Sequence, residues 1–106
     1  MAERTFHHFG VPVTDTQENE TYLEGAKVSI TDPDCHPYRV EYLRFDAGSP
    51  MHADVQNHAH AAFMVDDLDA ALAGKDVIVP AFDATDTLRV AFINDAGAVI
   101  ELMQQK

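Results

Sequence analysis

A short apolar stretch led by a histidine occurs twice in this chain, and that repetition constrains the fold more than any other feature. The second copy, His60-Ala61-Ala62-Phe63-Met64-Val65-Asp66-Asp67, reads as a strand running into an acidic helix start. Side chains alternate across a pleated strand, so His60, Ala62 and Met64 share one face while Ala61, Phe63 and Val65 share the other. The second face is the oily one and is expected to pack on a helix, which leaves His60 on a side lined by small or soft residues. In the first copy His8, Val11, Val13 and Asp15 stand where His60, Phe63, Val65 and Asp67 stand in the second, at one constant offset. One unit is used twice. A chain of 106 residues can build one compact domain but not two independently stable ones, so the two units must share a sheet or a partner subunit.

In chain order, Phe6 to Val13 reads as a strand with Phe9, Val11 and Val13 on its apolar face and His8, Gly10 and Pro12 on the other. Pro12, which has no amide hydrogen, argues for an edge or a strand end. Asp15 followed by Glu18 has capping-box spacing for a short helix that Gly25 would stop. With little apolar periodicity from Asn19 to Glu24, a loop or an extended segment is nearly as strong an expectation there. Ala26 to Thr31 is expected as a strand, Asp32 to Pro37 as a turn, and Tyr38 to Phe45 as a strand whose Glu41 face also carries Arg39, Leu43 and Phe45. A connector follows from Asp46 to Asn57, where Ser49-Pro50 could cap one turn of helix. After the His60 strand comes a short helix over Asp66 to Ala73, with acidic residues at its positive end and Gly74 behind it. Three strands close the chain: Val77 to Phe82, Leu88 to Ile93 and Ala98 to Met103. The second half is thus β-α-β-β-β, and the first repeats it with a weaker helix and one strand fewer. The expected organisation is a single domain over 1–106, with module one at about 5–47, a connector at about 48–57 and module two at about 58–104.

The repeat reaches the last strand of each half, where Val40-Glu41-Tyr42-Leu43 answers Ile100-Glu101-Leu102-Met103. A bare carboxylate between apolar strand residues is expensive to bury, and here it occurs at two equivalent places. Taken singly, His8 or His60 would be an ordinary surface or hydrogen-bonded histidine, and Glu41 or Glu101 an edge-strand charge that discourages aggregation. Taken together, each half offers one histidine on its first strand and one glutamate on its last. Two imidazoles and two carboxylates converging on one point form a chelating set for a divalent first-row metal, with zinc, nickel, iron, cobalt and manganese not distinguishable. By strand alternation His7 points away from His8 and is structural or exposed. His58 shares the His60 face and could line a cavity mouth, though an exposed strand start suits it better. His36 and His52 fall in turns and connectors, with no role assigned.

Seven basic against 18 acidic residues give a net charge of −11. Such a field repels nucleic acid and anionic lipid headgroups, and it serves either solubility or the attraction of a cation. No apolar run approaches the roughly 20 residues of a membrane helix, and no signal-peptide pattern opens the chain. A cytoplasmic location is the default expectation. The single cysteine, Cys35, has no internal partner, which fits a reducing compartment.

The pattern His8-Phe9-Gly10-Val11-Pro12-Val13-Thr14-Asp15, with Glu41, His60 to Asp66, and Phe92-Ile93-Asn94-Asp95 through Ile100-Glu101-Leu102, resembles the vicinal oxygen chelate superfamily. That superfamily includes glyoxalase I, methylmalonyl-CoA epimerase, extradiol dioxygenases and bleomycin-resistance proteins. The resemblance implies an α+β fold of paired βαβββ modules whose strands curl around a metal site, often completed by a second subunit, so a homodimer is expected. It places His8, Glu41, His60 and Glu101 at the four metal-ligand positions of glyoxalase I-like members and nominates Glu101 or Glu41 as the catalytic base. The departure is the shortened first module between Asp15 and Tyr38. Arg39, on the Glu41 face, is a candidate for binding a substrate carboxylate or phosphate, the alternative being a surface salt bridge.

The function implied is a metal-dependent lyase or isomerase acting on a small α-oxygenated carbonyl compound through a metal-stabilised enediolate. The glutathione-specific version is the weaker form, because few basic residues are available to hold an anionic conjugate. An extradiol-type dioxygenase needs two histidines and one carboxylate on iron, and Glu41 counts against it as a fourth ligand. A metal-free protein that sequesters a drug or metabolite is the alternative from a different class. It would call for an aromatic-lined cavity, and the chain has no tryptophan.

Overall fold

A computed structural model describes residues 4–106. Eight strands form one mixed sheet: β1 Arg4–Pro12, β2 Thr21–Leu23, β3 Val28–Ile30, β4 Val40–Phe45, β5 His60–Val65, β6 Asp76–Thr85, β7 Leu88–Asp95 and β8 Ala98–Gln105. Two short helices accompany them, α1 Ala53–Asn57 and α2 Leu68–Leu72. The strand order is β2-β3-β4-β1-β5-β8-β7-β6, a palindrome of two modules about the junction of β1 and β5. In each module the first strand pairs in parallel with the last, β1 with β4 and β5 with β8, while β1 and β5 run antiparallel to each other. The sheet curls, so that residues from both of its ends line one cavity on the concave side.

The alternation read from β5 is realised. Phe63 and Val65 face the convex side, where Val65 joins Leu68 of α2, Ala91, Ile93 and Leu102 in one cluster. Ala62 and Met64 face the concave side with Val90, Phe92, Val99 and Met103. Helix α2 starts where Asp67 accepts a hydrogen bond from the Ala70 amide, and Gly74, at φ +74°, takes the chain out of it. Leu68 is fully buried by it, a burial that contributes about 2 kcal/mol. In the connector the helical turn lies later than Ser49-Pro50 suggested. His52 caps α1, whose Val55 is fully buried in the concave cluster. Pro80 sits in β6, at the edge of the sheet, where a missing amide hydrogen costs no ladder bond.

Module one corrects two expectations. The capping box at Asp15 and Glu18 starts no helix. Gln17 instead donates its side-chain amide to the Asp15 carbonyl, and Glu20 accepts from the Gln17 backbone N–H and grips Arg44 of β4 at 2.7 and 2.9 Å. These bonds hold the segment as turns. The strand that seemed missing is β2, Thr21–Leu23, paired with β3. Four strands per module are therefore present, and what module one lacks is its crossover helix. The convex face that such a helix would cover is left open, with Phe6 39% and Phe9 48% exposed and their rings 5.0 Å apart. Among the described residues no helix is long and apolar enough to cross a membrane.

Because α2 alone covers the convex face of module two, Leu68→Ala is expected to lower the unfolding free energy by about 2–5 kcal/mol. Urea titration checks this: the midpoint falls while the slope is unchanged.

Candidate metal centre

The antiparallel pairing of β1 with β5 places the two histidines. In its register Gly10 is opposite His60 and His8 is opposite Ala62. The segments His8-Phe9-Gly10 and His60-Ala61-Ala62 thus repeat one device, a histidine followed two positions later by a small residue that faces the other module's histidine. At Gly10 the space is fully used, since a Cβ built there would overlap Cε1 and Nε2 of His60. The His60 ring is held on its other side by Phe92, edge to face at 5.2 Å. The parallel pairs then deliver the carboxylates: Glu41 is opposite Gly10 across β1 and β4, and Glu101 is opposite Ala62 across β5 and β8.

His60 Nε2 lies 3.0 Å from Glu101 Oε1, and His8 Nε2 lies 3.4 Å from that same oxygen and 3.5 Å from Glu41 Oε1. One ligand atom from each of His8, His60 and Glu101 falls within 4.8 Å of the others. The structure therefore brings three of the four expected residues into one cluster and sets Glu41 against His8 at its side. The His8 and His60 side chains are 2% and 0% exposed, those of Glu101 and Glu41 10% and 13%. His8 Nε2 and His60 Nδ1 are buried without a hydrogen-bond partner, because the His8 contacts have ion-pair distances but not hydrogen-bond geometry. A buried imidazole nitrogen left unpaired costs about 1–3 kcal/mol. One that points between two carboxylates with a second imidazole beside them has the donor chemistry of a divalent-metal site.

Electrostatics points the same way. Burial pulls the His8 imidazole down, but the carboxylates of Glu101 and Glu41 outweigh it and raise its pKa to about 9. Burial pushes the Glu101 carboxyl up, but His60 and His8 outweigh it and hold the group well below the ordinary carboxylate range. In the metal-free protein the cluster thus favours a proton on His8 beside the ionised Glu101 carboxylate.

Strand alternation missed one neighbour. The β-bulge between Phe6 and His8 cancels the change of face expected at His7. His7 Nδ1 comes 2.7 Å from His8 Nδ1, the rings edge to face at 5.0 Å. One of these nitrogens must carry a proton and the other must be bare. Arg39 does not share the cavity with Glu41. It adopts φ +58° just before β4, donates Nε–H to the His7 carbonyl and pairs with Asp34 at 2.9 Å. His36 and His58 lie outside the cluster, His58 ending α1 as an exposed cap.

The cluster forms the floor of a cavity of about 460 Å³, with His8, Glu41 and Glu101 among its lining residues. Its walls are apolar and come from both ends of the sheet: Leu43 and Phe45 of β4 face Val79 and Phe82 of β6.

Gly10→Ala is expected to displace the His60 ring and weaken divalent-metal binding at least tenfold by isothermal titration, while the protein remains folded by circular dichroism. Because the folded-state pKa of His8 lies above its ordinary 6.5, its contribution to stability is complete below about pH 6.5 and is lost as pH rises through about 9. Thermal melts of metal-free protein should fall between pH 7 and 9.5, and His8→Gln should flatten that fall.

No family model matches the chain, and no curated protein matches it in sequence. Solved structures do match. A hypothetical protein from Bacillus halodurans C-125 superposes with a TM-score of 0.72 at 18% identity, covering 97% of this chain and 95% of its own. Methylmalonyl-CoA epimerase from Mycobacterium tuberculosis superposes with a TM-score of 0.62 at 17% identity, covering 96% of this chain and 88% of its own. At such identities what is shared is the fold, and the chain has the vicinal oxygen chelate architecture of paired βαβββ modules, with the helix of the first module absent.

Proposed function

We propose that the protein is a metal-dependent isomerase or lyase of the glyoxalase-like type, moving a proton on the carbon beside a carbonyl in a small α-oxygenated compound. The observation that carries this reading is the unpartnered His8 Nε2, buried beside His60 and Glu101 with their ligand atoms within 4.8 Å of one another, on the floor of an apolar cavity. His8, His60 and Glu101 would hold a divalent metal, with Glu41 as fourth ligand. When bound, that metal would grip two neighbouring oxygens of the substrate and stabilise the negative charge that develops as the proton leaves.

The two glutamates divide the remaining work. Glu101 is anchored by both imidazoles, whereas Glu41 touches only His8 and lines the cavity. Glu41 is the carboxylate free to swing, and we assign it as the base that takes the proton from carbon and returns it to the same or the adjacent carbon. Metal binding must displace the proton that His8 holds, so affinity should rise with pH up to about 9.

A second reading has its own observation. The tight cluster is two histidines and one carboxylate, the donor set of non-haem iron oxygenases, with Glu41 standing to one side. One set of measurements separates the readings. Dialysed protein should retain about one divalent metal per chain and lose it on His60→Ala. Proton NMR in D2O should show exchange at the α-carbon of small hydroxyketones, slowed by about 10²–10⁴ in Glu41→Gln. Oxygen uptake with catechols on iron-loaded protein would favour the dioxygenase. Protein that takes up no metal yet binds apolar ligands would favour sequestration and remove the enzyme reading.

A further inference from the structure

We infer that the cavity takes a ligand that carries no negative charge beyond its chelating oxygens and has an apolar body, and that it rejects anionic carriers such as acyl-CoA thioesters and glutathione conjugates. The inference rests on the reading of the floor as a metal site, and adds what the walls and mouth select.

Four carboxylate side chains line the cavity, Glu24, Glu41, Asp83 and Glu101. No lysine or arginine lines it. Four of the seven basic residues are paired with carboxylates. Arg39 is paired with Asp34, Arg44 with Glu20 and Arg89 with Asp69. Lys106, which does not line the cavity, is paired with Asp83 at 3.0 Å. Arg4 and Lys75 border a separate depression on the other side of the sheet. Lys27 is exposed in the turn between β2 and β3, where Glu24, Gly25, Ala26 and Val28 line the cavity and Lys27 itself does not.

A phosphate or carboxylate at the mouth would therefore meet Glu24 and Asp83 with no lysine or arginine among the lining residues to hold it, inside the field of a chain whose net charge is −11. Desolvating such a group without a partner is a cost that the walls cannot offset. Those walls offer Leu43, Phe45, Val79 and Phe82 instead. The volume, about 460 Å³, lies toward the small end of the roughly 300–1,000 Å³ usual for small-molecule pockets. A ligand fits with its oxygen pair on the floor and its hydrocarbon part toward the mouth. By this argument the chain, though it shares the fold of a methylmalonyl-CoA epimerase, does not share that enzyme's kind of substrate.

The test uses zinc- or nickel-loaded full-length protein, its metal content measured first, and two hydroxamates of one shape: benzohydroxamate and 4-carboxybenzohydroxamate. Isothermal titration should show the neutral compound binding at least tenfold tighter than its carboxylated twin, and an acyl-CoA thioester should not compete. Thr85→Lys, which adds a cation at the mouth, should raise the affinity of the carboxylated twin at least fivefold and leave that of benzohydroxamate unchanged. Equal or tighter binding of the carboxylated twin to the metal-loaded protein would overturn the inference while leaving the metal site in place. Protein that takes up no metal, or metal-loaded protein that binds neither hydroxamate, would overturn the metal reading and this inference with it.

Discussion

The pairing of β1 with β5 is the contact on which the rest of the molecule depends. These strands meet antiparallel at the centre of the sheet and are each other's counterparts in the two modules. An antiparallel pair of like strands has local two-fold symmetry, so whatever one strand offers the other offers in return. Here the offer is a histidine and, two residues on, a gap. Gly10 has no side chain and His60 fills the space; Ala62 has only a methyl group and stands opposite His8. A slip of one residue in this register would put the two imidazoles on opposite faces of the sheet. The metal-site geometry and the sheet register are thus one constraint.

Burying two imidazoles and two carboxylates is costly unless the charges are paired or ligate a metal. The metal-free chain manages it with a proton on His8, between Glu101 and Glu41. The same carboxylates that raise the His8 pKa provide the negative field for a divalent cation. On the proposed metal reading, proton and metal would compete for one position, the buried Nε2 of His8. Between the floor and the acidic mouth the cavity walls are mostly apolar, and charges interact more strongly against such walls than in open water.

Much of this could be read from residues alone. The faces of β5, the helix start at Asp67, the four strands of module two and the pairing of His8, His60, Glu41 and Glu101 across a repeat all follow from alternation and spacing. The misreadings have local causes. Asp15 and Glu18 have the spacing of a cap, but Glu20 has a better partner in Arg44, a residue 24 positions away that no local pattern reveals. Strand β2 is three residues long, too short for alternation to show. Arg39 left its expected face because one left-handed residue precedes β4, and His7 joined His8 because one bulge precedes it. Each breaks the strict period of two on which strand faces are assigned.

What the sequence determined by itself is the inventory and its symmetry: two histidine-led strands, two glutamate-bearing strands, and small residues at matched places. These are set by composition and by a period that every strand obeys. What only the tertiary structure decided is the convergence. The distance from His8 to Glu101, the gap at Gly10 that His60 occupies, and a cavity lined by acidic groups and by no lysine or arginine depend on how a twisted sheet closes on itself. That closure arises from contacts between residues far apart in the chain, whose register no local pattern encodes.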